Sequence, residues 1–203
     1  MSDAPERVVP RAPAGRDGRI EAFLDQLEAP APAPSGGTAS ATVAAMAAAL
    51  VVMVGRGSPA WAEGPGVATQ ARALRRRLTD LGEEDARAYA AVLAAMRDLD
   101  APGSEQRDFA LGVALTDAAE VPLRIAAAAA DVAELAAVAA AEGKHALRPD
   151  AAAAVILAEA AVRAATHLVD VNLATLPGDR RSDRAAQIAE AAETTRARAL
   201  GTM

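Results

Sequence analysis

The chain has 203 residues and no cysteine, alanine is its commonest residue, and only 2% of its residues are aromatic. So few aromatic residues do not furnish the faces of a β-sandwich or barrel, and the lack of cysteine excludes disulfide frameworks, iron–sulfur sites and thiol nucleophiles. A formal net charge of −6 argues against a nucleic-acid partner, and two isolated histidines, His145 and His167, do not make a metal site. Abundant alanine predicts an all-α protein, because methyl side chains let helix axes approach closely.

The N-terminal part of the chain divides into a tail, a short helix, a connector and a long helix. Residues 1–19 are rich in Pro, Arg and Asp and lack the apolar run of a signal peptide, so they predict a disordered tail before one helical domain over residues 20–203. Hydrophobic spacing predicts a short helix over residues 20–28. The alternating prolines of residues 29–34 predict an extended connector, and a long buried helix is predicted over residues 35–56.

The segment from Ser35 to Gly55 carries no charged residue, so a membrane span has to be considered. The segment is rich in Ala, Ser, Thr and Gly, which favours a helix buried inside a soluble bundle over a transmembrane helix. We therefore expect a cytoplasmic protein without a membrane partner.

The rest of the chain predicts further long helices. One covers residues 67–99, and a second covers residues 103–141 with a kink at Val121-Pro122, where a backbone N–H is missing. The helices of residues 149–176 and 179–199 follow, separated by Pro177-Gly178. Together these elements predict an up-and-down helical bundle. Its alanine-rich surfaces are too extensive for one small bundle, so we expect a homodimer.

Asp85 breaks the apolar pattern of the helix over residues 67–99. Apolar residues recur there at spacings of three, four and seven, and Asp85 lies within this packing seam. A carboxylate at such a position loses hydration and must find a partner. Two structural alternatives are an ion pair with a neighbouring arginine and hydration at a wide helix crossing. The functional alternative is that Asp85 faces a ligand. Tyr89, one turn further on, would share the same pocket.

Further polar features are candidate binding groups, each with a structural alternative. Asn172 lies on the inward side of its helix, where an amide either binds a ligand or satisfies a neighbouring backbone group. Asp150 lies in the first turn of the same helix, where an acid stabilises the helix dipole, roughly 33 Å from Asn172 along a straight helix. The Ser35-Gly36-Gly37 turn offers free N–H groups to an anion or a carbonyl. The arginines of residues 72–77 are typical of a solvated face.

Together these stretches resemble the C-terminal domain family of formiminotransferase-cyclodeaminase. That family has a short helix, then P-x-P-G-G-G, then a buried helix of small residues. The matching segments here are Phe23-Leu24-Asp25, Pro32-Ala33-Pro34-Ser35-Gly36-Gly37, Met53-Val54-Gly55-Arg56, Asp85-Ala86-Arg87-Ala88-Tyr89, Val121-Pro122-Leu123 and Val171-Asn172-Leu173. The similarity covers residues 20–200, with the opening motif the most specific part.

The resemblance implies a helical homodimer that acts on the one-carbon units of tetrahydrofolate. Stand-alone members either cyclise 5-formiminotetrahydrofolate to the 5,10-methenyl form with loss of ammonia, or hydrolyse 5,10-methenyltetrahydrofolate to 10-formyltetrahydrofolate. Neither reaction moves electrons, so no metal or organic cofactor is expected.

In this reading the catalytic residues are Asp85 and Tyr89, and the substrate-binding residues are Ser35, Gly36, Gly37, Arg56, Asp150 and Asn172. Asp85 would be the general base, Asn172 would pair with the amide edge of the pterin, and Arg56 or the arginines of residues 72–77 would bind the glutamate tail.

The chain departs from the family pattern in three places, one of them at Lys144-His145 and Pro149-Asp150, where the family tends to have asparagine and then Ser-Asp. Ser35 replaces the first glycine of the triplet, and residues 61–64 stand where the family has a basic stretch containing lysine. The alternative prediction is therefore a member that binds a folate without turning it over, or that binds a different ligand.

Overall fold

The computed structural model describes residues 17–30, 34–97 and 105–201, and within these ranges it contains helices and no strands. The helices are α1 (Asp17–Glu28), α2 (Gly36–Gly57), α3 (Gly64–Arg97), α4 (Glu105–Ala118), α5 (Glu120–Glu142), α6 (Arg148–Asn172) and α7 (Arg180–Gly201), with a short 3₁₀ turn at His145–Leu147. The prediction of an all-α fold is confirmed. Most of the expected tail and residues 31–33 of the expected connector lie outside the described ranges.

The helix at the centre of the bundle is α5. It packs against α2, α3, α6 and α7, and its Ile125 and Val132 are fully buried among alanines. The sequence predicted that α2 would be the buried helix, but α2 buries only one face and leaves Met46 and Met53 58% and 40% exposed. The two helices are similarly apolar, so the sequence alone does not tell which one the others surround.

α2 runs antiparallel to α3 and to α6, while α5 runs parallel to α2, since Val54 near the end of α2 lies beside Gly143 at the end of α5. α2 and α3 cross closely at Gly55, where a Cβ atom would lie 2.7 Å from the carbonyl oxygen of Gly64. The start of α2 lies beside the end of α6, since a Cβ on Gly36 would be 3.7 Å from Leu168, and the end of α2 lies beside Leu147 at the start of α6. This arrangement places the N-terminus of α2, the second half of α3 and the C-terminus of α6 at one end of the bundle.

The predicted kink at Val121-Pro122 corresponds in the structure to a break between two helices. α4 ends at Ala118, α5 begins at Glu120, and Pro122 lies in the first turn of α5. A proline is well tolerated there because the first turn of a helix has N–H groups without helical partners. Residues 98–104, where the sequence predicts the end of the helix over residues 67–99 and the start of the next, lie outside the described ranges. The other predicted helix limits lie within a few residues of the observed ones.

Two helical stretches of the described residues, Gly36–Gly57 and His145–Asn172, are long and apolar enough by composition to cross a membrane. Of the most apolar window in each, 44% and 50% is buried inside the bundle. About half of each window therefore packs inside the bundle, and length and composition alone do not mark either stretch as a membrane span.

Candidate active site

A cavity of about 440 Å³ opens where the N-terminus of α2 meets α3, the end of α4, the start of α5 and the end of α6. Five of the residues that the sequence proposed for the site line this cavity: Ser35, Gly36, Asp85, Tyr89 and Asn172. They come from three different helices or helix ends, so the fold brings together residues that are up to 137 positions apart in the sequence.

Asp85 is almost completely buried, with 5% of its surface exposed, and it faces the N-terminus of α2. Its Oδ2 atom accepts hydrogen bonds from the hydroxyl of Ser35 and from the backbone N–H of Thr38 at 2.8 Å. The hydroxyl of Thr38 lies 3.1 Å from Oδ2 and 3.0 Å from the carbonyl oxygen of Gly82, so its one hydrogen is shared between these two acceptors. The partners of this carboxylate in the described part of the chain are therefore hydroxyl and N–H groups at a helix start, and no described arginine pairs with it. Its Oδ1 atom receives no hydrogen bond from any described residue.

The two glycines at the start of α2 have different surroundings. A Cβ atom on Gly37 would lie 2.0 Å from Oδ1 of Asp85 and 2.4 Å from its Cγ, whereas a Cβ on Gly36 would meet only Leu168 at 3.7 Å. Gly37 is thus required for the close approach of the carboxylate to the helix start. Gly36 is exposed and lines the cavity, with room for a side chain.

Asn172 is held by the junction between α4 and α5. Its Nδ2 atom donates a hydrogen bond to the carbonyl oxygen of Ala118 at 3.2 Å. In a continuous helix that carbonyl would accept from residue 122, which is a proline and has no N–H. Asn172 therefore satisfies a neighbouring backbone group, which was the structural alternative, and it also lines the cavity.

The remaining walls of the cavity are largely apolar. Tyr89 lies one turn beyond Asp85 on α3, is 37% exposed, and is followed on the same face by Val92. Leu115 of α4 and Leu168 of α6 line other sides. The polar groups are therefore Ser35 and Asp85 at the start of α2, Tyr89 on α3 and Asn172 at the end of α6, and the walls between them are largely apolar.

The end of α4 is tied to the start of α7 by a hydrogen bond from Arg181, whose guanidinium is oriented by an ion pair with Asp179. Arg181 donates from Nη1 to the carbonyl oxygen of Thr116 at 2.7 Å and pairs with Asp179 at 2.7 Å. The hydrogen bonds from the side chain and backbone of Arg181 lower the pKa of Asp179 from 3.8 to about 2. This pair fixes the last turn of α4, which carries the Ala118 carbonyl at the edge of the cavity.

Comparison with known proteins identifies the family of this chain. The model of the formiminotransferase-cyclodeaminase family matches residues 19–194. The chain belongs to the formiminotransferase-cyclodeaminase family. Among solved structures, it is similar to the formiminotetrahydrofolate cyclodeaminase of Thermotoga maritima, with 25% sequence identity, a TM-score of 0.74, and coverage of 89% of this chain and 90% of that chain. A search of curated protein sequences found no match. Family and structural neighbour point to a function of the folate cyclodeaminase type.

Not every residue proposed for a formiminotransferase-cyclodeaminase site lies at this cavity. Arg56 is at the other end of α2, roughly 30 Å from Ser35 at 1.5 Å per residue, and Asp150 is in the first turn of α6, far from Asn172 at its last residue. Among the side chains that the structure describes, no arginine or lysine lines the cavity. The described residues also contain no group of three or more His, Asp or Glu side chains placed to hold a metal ion.

Two residues that position the groups of the cavity escaped the sequence analysis. Thr38 donates its backbone N–H to Asp85 and shares its hydroxyl hydrogen between Asp85 and the carbonyl of Gly82. A hydroxyl three residues after the Ser35 cap was the available signal, although Asp85 lies 47 positions away. Pro122 was interpreted only as a kink, whereas its missing N–H also frees the carbonyl that holds Asn172. In this family member, both residues position a polar group that faces the cavity.

Proposed function

We propose that the protein is a tetrahydrofolate one-carbon enzyme that cyclises 5-formiminotetrahydrofolate to 5,10-methenyltetrahydrofolate with release of ammonia. The observation that carries this proposal is the pairing of a buried carboxylate, Asp85, with an otherwise apolar cavity large enough for a bicyclic ring. Family membership and the structural neighbour support the same class of substrate.

The proposed reaction needs a base that accepts the N10 proton, and a negatively charged group close to the carbon atom that becomes the methenyl cation. The formimino group enters in its protonated iminium form, N10 attacks its carbon, and N10 gives up its proton. The former imino nitrogen carries three hydrogens once it has taken up that proton, and it leaves as ammonia with the electron pair of its bond to carbon. Asp85 Oδ1 accepts the N10 proton and passes it to the leaving nitrogen, as a general acid–base. Its negative charge also favours the methenyl cation that forms, because Oδ2 is already fixed by Ser35 and Thr38 and does not reorganise. Tyr89 hydrogen-bonds the reacting groups.

The same groups support the related hydrolysis of 5,10-methenyltetrahydrofolate. Water adds to the methenyl carbon and loses a proton to Asp85. The bond from that carbon to N5 then breaks as N5 takes up this proton, and the added hydroxyl releases its remaining proton to solvent, which leaves the 10-formyl group. Neither reaction transfers electrons, so we propose no metal or organic cofactor. Ser35 and Gly36 form the wall of the ring site, Gly37 allows Asp85 to lie against the start of α2, and Asn172 binds the ring edge.

A binding protein without turnover, or one for another ligand, is the second candidate. It is favoured by Ser35 in place of the family's first glycine and by the absence of a described basic side chain that would bind a glutamate tail at the cavity. This candidate predicts saturable binding of a small molecule without conversion of either folate derivative.

The deciding experiment offers each substrate separately to the purified full-length chain. Appearance of near-UV absorbance from 5-formiminotetrahydrofolate, with one ammonia per methenyl group, supports the cyclodeaminase. Accelerated loss of that absorbance from 5,10-methenyltetrahydrofolate supports the cyclohydrolase. Binding of tetrahydrofolate without either change supports the second candidate, and the absence of both binding and turnover overturns the proposal.

We also propose that the protein is a homodimer in the cytoplasm, with no membrane or nucleic-acid partner. The outer faces of α2 and α6 support the dimer, because Met46, Met53 and Ile156 are 58%, 40% and 45% exposed on these two adjacent antiparallel helices. Two helices of this length present a face of roughly 30 by 20 Å, close to the ~800 Å² that each partner buries in a stable interface.

Sedimentation equilibrium tests the dimer. A dimer at micromolar concentration that Met46→Glu converts to a monomer supports the proposed face. A monomeric wild type contradicts it, and binding of the wild type to neutral lipid vesicles would contradict the absence of a membrane partner.

A further inference from the structure

Pro122 leaves one backbone carbonyl at the cavity without a helical partner. The hydrogen-bond pattern of a helix continues on either side of the junction, from Ala119 N to Leu115 O at 3.0 Å and from Leu123 N to Ala119 O at 3.4 Å. The corresponding bond from residue 122 to Ala118 is missing because proline has no N–H. The carbonyl of Ala118 therefore needs another donor, and Nδ2 of Asn172 supplies it at 3.2 Å.

This contact determines which way the amide of Asn172 points. Turning the amide over would place its Oδ1 against the carbonyl oxygen of Ala118, so two acceptors would meet and Ala118 would lose its donor. One hydrogen of Nδ2 is thus occupied, while no described residue donates to Oδ1. The Oδ1 acceptor and the second N–H donor of Asn172 therefore remain available to a ligand, and their positions relative to each other are fixed.

We infer that Asn172 recognises the edge of a cyclic amide, in which a carbonyl stands beside a ring N–H. Pro122 is the positioning residue that determines the specificity of Asn172 for such an edge. A side-chain amide pairs with such an edge through one acceptor and one donor, as in bidentate recognition of a nucleobase. This inference rests on the proposed function, because the pteridine ring of a folate carries such an edge at C4 and N3.

The inference makes a distinction that the proposed function alone does not. In a 4-amino pteridine the order is reversed, since the amino group at C4 donates and N3 accepts. An asparagine that is free to turn over would bind both rings equally well. An asparagine held by Ala118 accepts only the 4-oxo ring, because the reversed order needs the orientation that sets Oδ1 against Ala118.

The test compares tetrahydrofolate with tetrahydroaminopterin, which differ in the C4 group and the accompanying N3 proton. Their dissociation constants are measured by titration calorimetry for the wild type, for Pro122→Ala and for the control Pro149→Ala. Pro149 is also in the first turn of a helix, α6, but at the opposite end from Asn172. We expect the wild type and Pro149→Ala to prefer tetrahydrofolate by roughly tenfold, or ~1.4 kcal/mol.

Pro122→Ala restores an N–H that takes the Ala118 carbonyl, so the amide is released and the preference should fall below threefold, mainly through tighter binding of tetrahydroaminopterin. Since alanine favours helix, far-UV circular dichroism should not change. A Pro122→Ala protein that keeps the wild-type preference overturns the inference. As a second variant, Asn172→Leu should bind both ligands weakly and without preference, and a retained preference would also overturn it.

The outcomes separate this inference from the proposed function. A wild type that converts 5-formiminotetrahydrofolate yet binds the two rings equally refutes the role of Asn172 and Pro122 and leaves the enzyme proposal standing. A wild type that binds neither ring and converts no folate refutes both.

Discussion

Replacing Gly37 with alanine tests whether the approach of Asp85 to α2 is as close as the structure has it. The added Cβ would lie 2.0 Å from Oδ1, 2.4 Å from Cγ and 2.7 Å from Oδ2 of Asp85. Separations this short are not tolerated, and the carboxylate, which is buried on a short side chain, has to move away. The hydrogen bonds that Ser35 and Thr38 donate to Oδ2 are then lost.

The size of the effect follows from those contacts. A hydrogen bond to a charged group contributes a net ~1.5 kcal/mol, and the bonds from the Ser35 hydroxyl and the Thr38 N–H together give about 3 kcal/mol. The Thr38 hydroxyl is not counted, because it keeps the carbonyl of Gly82 as its acceptor. Exchanging glycine for alanine inside a helix returns up to ~1 kcal/mol. The expected loss in the free energy of unfolding is therefore roughly 2 kcal/mol, which lowers the Tm of a protein of this size by about 4–8 °C.

Gly36→Ala is the matched control, because its Cβ would have 3.7 Å to the nearest atom of Leu168. Urea unfolding and calorimetry of both variants should show Gly37→Ala destabilised and Gly36→Ala unchanged or slightly more stable. Turnover of Gly37→Ala should fall more than its stability, because the catalytic carboxylate is displaced. Equal stability of the two variants would refute the close packing of Asp85 on Gly37.

Three further predictions concern single carboxylates. Asp85→Asn keeps an acceptor for the helix start but removes the charge, so turnover should fall by ~10²-fold or more at nearly unchanged Tm; wild-type turnover would remove Asp85 from the mechanism. The pKa of Asp179 is lowered from 3.8 to about 2, so its stabilising contribution is complete above pH 3.8 and is lost as the pH falls through 2. The wild type should lose more thermal stability than Asp179→Asn over that interval, and parallel curves would contradict this. Glu159 is buried and pairs with Arg163 at 2.6 Å and with Arg196 of α7 at 3.7 Å. Glu159→Gln should therefore lower the free energy of unfolding by ~1–2 kcal/mol in urea titrations. An unchanged midpoint would show that the pair between Glu159 and Arg196 does not stabilise the docking of α7.

Much of the architecture follows from local patterns in the sequence. Helix limits were predictable because prolines and glycines interrupt the apolar spacing, and Asp85 was conspicuous as a charge within an apolar seam. The centre of the bundle was not predictable, because α2 and α5 are both rich in alanine and only their neighbours decide which of them is enclosed.

The partners of the polar groups were also beyond sequence reasoning. Thr38 meets Asp85 across 47 positions, and Asn172 meets Ala118 across 54. No local spacing reveals such pairs, since they depend on how helices pack. The difference between Gly36 and Gly37 has the same origin: the two residues are adjacent and identical, but only one of them lies beneath a side chain of α3.

The central claim is that a folate reacts in the cavity between the start of α2 and the end of α6. A crystal structure of the protein with 5-formyltetrahydrofolate, a stable analogue of the formimino substrate, tests this claim most directly. The account predicts density for the pteridine ring in the cavity, with its C4 and N3 edge at Asn172 and the formyl group within hydrogen-bonding distance of Asp85 or Tyr89. Density for the ligand at the opposite end of the bundle beside Trp61, with this cavity empty, would contradict the account.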